Sequence, residues 1–269
     1  MKHPRLFLLL FPLALPVLCA SWVLAPPHNP HNPHNRNNPH KSFSDNIVSY
    51  TVDPKTQDLR FYREDDSGHL LGSIQHLKDW LDQKHRSLIF AMNGGMFKTD
   101  GSPVGLFIQE QITITPLDTS TGEGNFYLKP NGVLYISKDK KATICQTADF
   151  RTNDPTHSPP HSSVTSPISY ATQSGPMLLL NGTIHPVFKK GSTNLNIRNG
   201  VGILPDGKLV FAMSKEPINF YDFAEYFKTM GCQNALYLDG FVSRTYLPEK
   251  DWIQTDGNFG IIIAVTMPR

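Results

Sequence analysis

Apolar residues fall at helical spacing in two places. Ile74, Leu77 and Leu81 recur at intervals of three and four behind Ser73, whose hydroxyl suits a helix start. Phe220, Phe223, Ala224 and Phe227 do the same behind Asn219, and Gly231 supplies a natural stop. Short apolar runs bounded by turn residues predict strands at 87–92, 125–128, 133–136, 201–204, 208–213 and 235–238. Pro130-Asn131-Gly132 and Pro205-Asp206-Gly207 each join two of these runs as antiparallel hairpins. The run 208–213, the second helix and the run 235–238 form a β-α-β unit, which predicts a parallel pair. The expected fold is therefore a single α/β (mixed α+β) domain, with a mixed parallel and antiparallel sheet core and flanking helices. A polar Pro/Ser stretch at 152–167 divides it into halves, each ordered as helix, strand and glycine-punctuated turn.

Composition adds a compartment. With 39% hydrophobic and 18% charged residues, the 269-residue chain can bury a core and is neither disordered nor collagen-like. Lys2 and Arg5 precede an apolar run at 6–18 that is broken by Pro12 and Pro16 and followed by Ala20 and Ser21. This pattern predicts a secretory signal peptide over residues 1–21. The stretch 6–25 is also long enough for an uncleaved anchor, but the prolines and small residues favour cleavage. Cys19 is not read as a lipidation site, because Leu18 stands where a small residue is needed. Removing the leader takes the formal charge from +2 to zero, so net charge gives no reason to expect nucleic acid or an anionic membrane as partner. Residues 22–41, rich in His, Asn and Pro, read as a solvated linker rather than a metal site, and 42–269 as the domain. The expected location is periplasmic or secreted, with no integral membrane association after cleavage. Cys145 and Cys232 then form either one disulfide or two buried thiols, and spacing does not decide between them.

Candidate chemistry sits where polar residues end strands. Asn93 and Asp239 each follow an apolar run and precede glycine, the position at which α/β sheets tend to bind ligands. Gly94 and Gly95 let backbone N–H groups converge into a nest for an anion, although tight turns alone would explain the same spacing. Arg198, in a Gly/Asn-rich context before a buried-looking run, either clamps a carboxylate or phosphate or is simply exposed. None of these segments carries His or Cys, which disfavours zinc hydrolysis, a Ser-His-Asp triad and a Cys-His pair. No glycine-rich nucleotide motif is present.

The strings AMNGGMF (91–97), GSPVGLFI (101–108), GNFYLKPNGVLYI (124–136), QSGPMLLLNGTIHPVF (173–188), IRNGVGILPDG (197–207) and NALYLDGFVSRTYLP (234–248) together resemble the phosphodiester glycosidase family, and are closest to its small exported bacterial members. The resemblance implies a mixed α/β domain that cleaves a sugar-1-phosphodiester at the glycosidic bond, releasing free sugar and a phosphomonoester. Because a phosphomonoester is already a tolerable leaving group, the chemistry asks for charge stabilisation more than for a strong proton donor. Asp239 is then expected as base for water or as nucleophile, and Arg198 with Asn93, Gly94 and Gly95 as the phosphate site. Asn125, Ser174, Ser243 and Arg244 are placed by motif membership as further contacts. No cofactor or metal is expected, with a divalent cation left open. The expected partner is a sugar-phosphate small molecule or a cell-envelope glycan. Phe241 and Val242 intervene where many members have glycines after the motif aspartate. That departure would suit an alternative, a non-catalytic envelope protein that binds a phosphorylated glycan.

Overall fold

The computed structural model describes residues 43–151, 166–240 and 242–269. The expected signal peptide and linker, residues 152–165 of the polar stretch, and Phe241 lie outside the described residues. Three sheets form the body. The first runs in the order β1 (Ile47–Val52), β12 (Leu209–Ser214), β11 (Asn199–Ile203), β13 (Asn234–Tyr237), β9 (Met177–Leu180) and β10 (Thr183–Ile184). The second is β15 (Trp252–Ile253), β14 (Thr245–Leu247), β3 (Arg86–Asn93), β16 (Ile262–Pro268) and β2 (Asp58–Tyr62). The third is β5 (Ile112–Thr115), β4 (Phe107–Gln109), β8 (Ile168–Ser174), β6 (Gly132–Ser137) and β7 (Ala142–Gln146).

All three sheets contribute to one apolar core, with Phe90, Phe211, Val201 and Leu236 meeting Phe107, Leu134 and Ile144. Helix α1 (Ile74–Gln83) covers the outer face of the second sheet through Ile74, Leu77 and Leu81. Helix α2 (Phe220–Thr229) covers the first through Phe223, Ala224 and Phe227. Both caps are as expected, since Ser73 accepts from the His76 N–H and Asn219 from that of Asp222.

The α/β expectation is overturned. Among the described residues every strand pair is antiparallel, and the fold is β-rich with two α-helices. The β-α-β connection exists, but β11 lies between β12 and β13 and pairs antiparallel with each. The Pro205-Asp206-Gly207 hairpin causes this, because it folds β11 onto the edge of β12 that a parallel β13 would have needed. Strands β12 and β13 therefore share a direction without sharing hydrogen bonds. The expected strand at 125–128 is instead a 3-10 turn, Asn125–Tyr127, and β6 finds its hairpin partner in β7. Cys145 and Cys232 are free thiols.

Candidate functional site

The chain crosses from the first sheet to the second between β13 and β14, and the candidate residues gather at that crossing. Asn93 ends β3 one residue beyond Met92, which pairs with Thr245 of β14. That register brings the Arg244 N–H to Asn93 Oδ1 at 2.9 Å. Asn199 begins β11 beside β13, and its amide ties the two sheets together. Its Nδ2 donates to the Asn93 carbonyl and to Asn93 Oδ1, at 2.9 Å each, and its Oδ1 accepts the Asp239 N–H at 2.7 Å. The third sheet joins through Ser174 at the end of β8, whose hydroxyl donates to the Leu238 carbonyl at 2.6 Å. Ser243 closes the turn by donating to the Asp239 carbonyl at 2.7 Å.

This node is dry. Asn199 and Ser174 are fully buried, Asn93 is 1% exposed, and Asp239 reaches solvent through 8% of its surface. Because Asn93 Oδ1 accepts two N–H donors, its amide orientation is fixed. Its Nδ2 is left buried with no protein acceptor among the described residues. A buried donor in that state calls for a ligand or a water.

The expected nest, Gly94 and Gly95, follows directly on β3. The Gly94 N–H donates to the Ile261 carbonyl at 3.0 Å. A side chain at Gly94 would collide with Ile263, and one at Gly95, where φ is +87°, with Thr172 Oγ1. The two glycines thus let β3 pass close under the neighbouring strands.

Arg198 is 1% exposed, so its guanidinium is not the solvent-facing one that its sequence context also allowed. Its Nε donates to the Ile218 carbonyl at 2.8 Å, and Nη2 to the Asn194 carbonyl and Oδ1 at 3.0 and 3.1 Å. The guanidinium lies 3.6 Å above the Phe220 ring, which also stacks parallel on Phe188 and meets Tyr237 edge-on. Burial lowers the Arg198 pKa, with the charge and hydrogen bond of Tyr237 opposing that shift. Tyr237 in turn is pushed up to about 12, chiefly by burial, with Arg198 pulling it down and Asp239 pushing it up. Arginine stays charged under such a shift, so a cation held by neutral acceptors lies near the Asp239 turn.

Two cavities flank this arrangement. One, of about 450 Å³, is lined by Gly240, Ser243, Arg244, Lys215, Trp252 and Ile197 among others. Arg244 also meets Asp256, outside that lining, through paired 2.8 Å hydrogen bonds, which lower the Asp256 pKa. The other, of about 230 Å³, is lined by Asn125, Asn194, Phe188 and Phe220 with their neighbours. Residues 194–197 lend walls to both, and the Arg198 guanidinium sits against Asn194. Asn93, Ser174, Asp239, Ser243 and Arg244 thus come together, whereas Asn125 stands apart at the smaller cavity. Asn199 and Tyr237, which link these groups, were not among the expected site residues. Their signal was their place beside Arg198 and Asp239 within the same motifs.

Among the described residues, no group of three or more His, Cys, Asp or Glu side chains is arranged to hold a metal, and no helix is long and apolar enough to cross a membrane. The sequence profile of phosphodiester glycosidases matches residues 86–261. An uncharacterised protein of Escherichia coli (strain K12), YigE, is 35% identical over 202 residues, spanning 75% of this chain and 74% of that one. Among solved structures, the catalytic domain of zebrafish N-acetylglucosamine-1-phosphodiester alpha-N-acetylglucosaminidase, auto-inhibited by its pro-peptide, has a similar fold. Its TM-score is 0.51 at 16% identity, over 82% of this chain and 88% of that one. A Burkholderia pseudomallei K96243 protein described as exported gives a TM-score of 0.51 at 11% identity, over 81% of this chain and 73% of that one.

Proposed function

The chain belongs to the phosphodiester glycosidase family, hydrolases of phosphodiester glycosidic bonds, and from that premise we propose that it is an exported hydrolase of a sugar-1-phosphodiester, releasing free sugar and a phosphomonoester. The export reading rests on the leader-like residues 1–21 and agrees with the exported fold relative. The observation that carries the site is the buried Asn93-Asn199-Asp239 node, with a donor of Asn93 left over beside the crossing. Water adds to the anomeric carbon, the C1–O bond breaks, and the phosphomonoester leaves with the bonding pair. Asp239 takes the proton from water, or attacks C1 first and is released by water in a second step. As the bond breaks, charge grows on the leaving phosphate. The buried Arg198 cation offsets it from beneath residues 194–197, where low dielectric strengthens the field. Asn93 Nδ2 donates to a substrate oxygen, while Ser174 and Ser243 hold the main chain on either side of Asp239. The sugar fits the 450 Å³ cavity against Trp252, with Arg244 and Lys215 at hand for phosphate oxygens.

The test is a panel of sugar-1-phosphodiesters, nucleotide sugars included, incubated with wild type, Asp239→Asn and Arg198→Ala. Free sugar and phosphomonoester from wild type, lost in both variants while Asp239→Asn stays folded by circular dichroism, supports the assignment. Turnover that survives in Asp239→Asn removes its role. Binding without turnover by wild type replaces hydrolysis with the phosphoglycan-binding alternative.

A further inference from the structure

The 230 Å³ cavity carries features that the hydrolysis step leaves unused. Leu128, Val187, Phe188 and Phe220 give it apolar walls, and among the described residues no carboxylate lines it. Val187, in that lining, is 55% exposed. An aliphatic side chain that opens to water at a cavity mouth gains free energy when a ligand covers it. Lys189 lines the same cavity and Lys190 follows it, both exposed, so the apolar mouth is edged with positive charge. Although the chain without its leader is neutral overall, this pair of lysines is a local cationic feature.

The position of the cavity identifies its occupant. Phe220 forms part of its wall and also bears the Arg198 guanidinium on one face. Asn194 lines it and accepts from Arg198 Nη2. A phosphate held over residues 194–197, with its sugar in the larger cavity, therefore directs its second ester group toward the smaller one. We propose that this cavity receives the hydrocarbon part of the aglycone, making the substrate class a sugar-1-phosphodiester of a lipid alcohol and the product a lipid monophosphate. The proposal rests on the glycosidase reading for its sugar half. Its lipid half is tested separately.

The binding test uses the intact protein with methyl phosphate and dodecyl phosphate, titrated calorimetrically below the micelle concentration. Each buried methylene is worth about fourfold in affinity, so dodecyl phosphate should bind at least about 30-fold more tightly than methyl phosphate. Val187→Asp, at an exposed position, should reduce that ratio to about threefold or less. The kcat/KM ratio for dodecyl and methyl sugar-1-phosphodiesters should follow the same pattern. Equal affinity for the two phosphates, or an unchanged ratio in Val187→Asp, overturns the lipid assignment even if the short diester is hydrolysed. Chain-length-dependent binding without hydrolysis of either diester leaves the cavity assignment standing and removes the glycosidase reading.

Discussion

Substitution of Asn199 by alanine tests whether the node positions Asp239. It removes three hydrogen bonds, two of 2.9 Å to Asn93 and one of 2.7 Å from the Asp239 N–H. Asn93 Oδ1 keeps the Arg244 N–H, so its side-chain oxygen is not orphaned. The Asp239 N–H loses its acceptor, and the Asn93 carbonyl its donor from Asn199. An orphaned buried polar group costs about 1–3 kcal/mol, so a loss of about 2–6 kcal/mol is expected for the two. That is a large part of the roughly 5–15 kcal/mol that holds a typical domain folded. Where the variant folds, the Asp239 main chain loses its N–H anchor while Ser174 and Ser243 keep the flanking carbonyls, and a misplacement of about 1 Å costs on the order of 100-fold in rate. Urea unfolding gives the first number and kcat/KM on the best diester the second. A stability loss under about 0.5 kcal/mol, within the range of an ordinary surface substitution, would show that the amide ties nothing together. A full stability loss with unchanged kcat/KM would show that it supports the fold and not the reaction.

Burial lowers the His185 pKa, against a weaker rise from its hydrogen bond to the Lys129 carbonyl. The folded state then binds a proton less readily than the unfolded state. Stability should therefore fall as pH drops below the ordinary value of 6.5, with a slope of at most about 1.4 kcal/mol per pH unit. Urea midpoints from pH 7.5 to 5 should show this slope in wild type, and His185→Gln should flatten it. Cys145 and Cys232 have thiols pushed up to about 12 by burial, so neither should react with iodoacetamide at pH 8 until the protein is unfolded. As the thiols are free, a reductant should leave the melting temperature unchanged. A side chain at Gly240 would collide with the Tyr237 hydroxyl and sit 2.8 Å from the Ile197 carbonyl, which belongs to a cavity wall. Gly240→Ala should cost about 1–3 kcal/mol and most of the activity. A fully active, stable Gly240→Ala would show that the wall yields.

Elements whose signals are local were legible in the sequence. Ser73 and Asn219 with their apolar stripes marked both helices, and the Pro-Asp-Gly turn marked the β11–β12 hairpin. Sheet order was not legible, because it depends on which edge each strand meets, and the same hairpin that was recognised displaced the parallel pair that was expected. The run 125–128 has strand-like composition, but its chain closes on itself, as the Leu128 N–H donates to the Asn125 carbonyl at 3.2 Å. At the site, residue types at strand ends brought attention to Asn93 and Asp239, since polar side chains there need a reason. Asn199, also polar and at a strand end beside Arg198, carried the same local signal but not its partners. Its importance lies in reaching from one sheet to another, which periodicity within a strand does not encode. Arg198 shows the same limit, for the sequence context offered exposure or a clamp and the structure buries the side chain between rings.

The site's bonds join segments far apart in the chain, 106 residues for Asn199 with Asn93 and 151 for Arg244 with Asn93. Contacts of such sequence separation form only after the intervening loops have closed, so the constellation is among the last features to assemble. A chain still threading through a translocation channel holds Asn93 and Arg244 on separate, unpaired strands and has no competent centre. Competence for the proposed reaction therefore arrives only with the completed fold, and a chain that has yet to close these loops carries none of it.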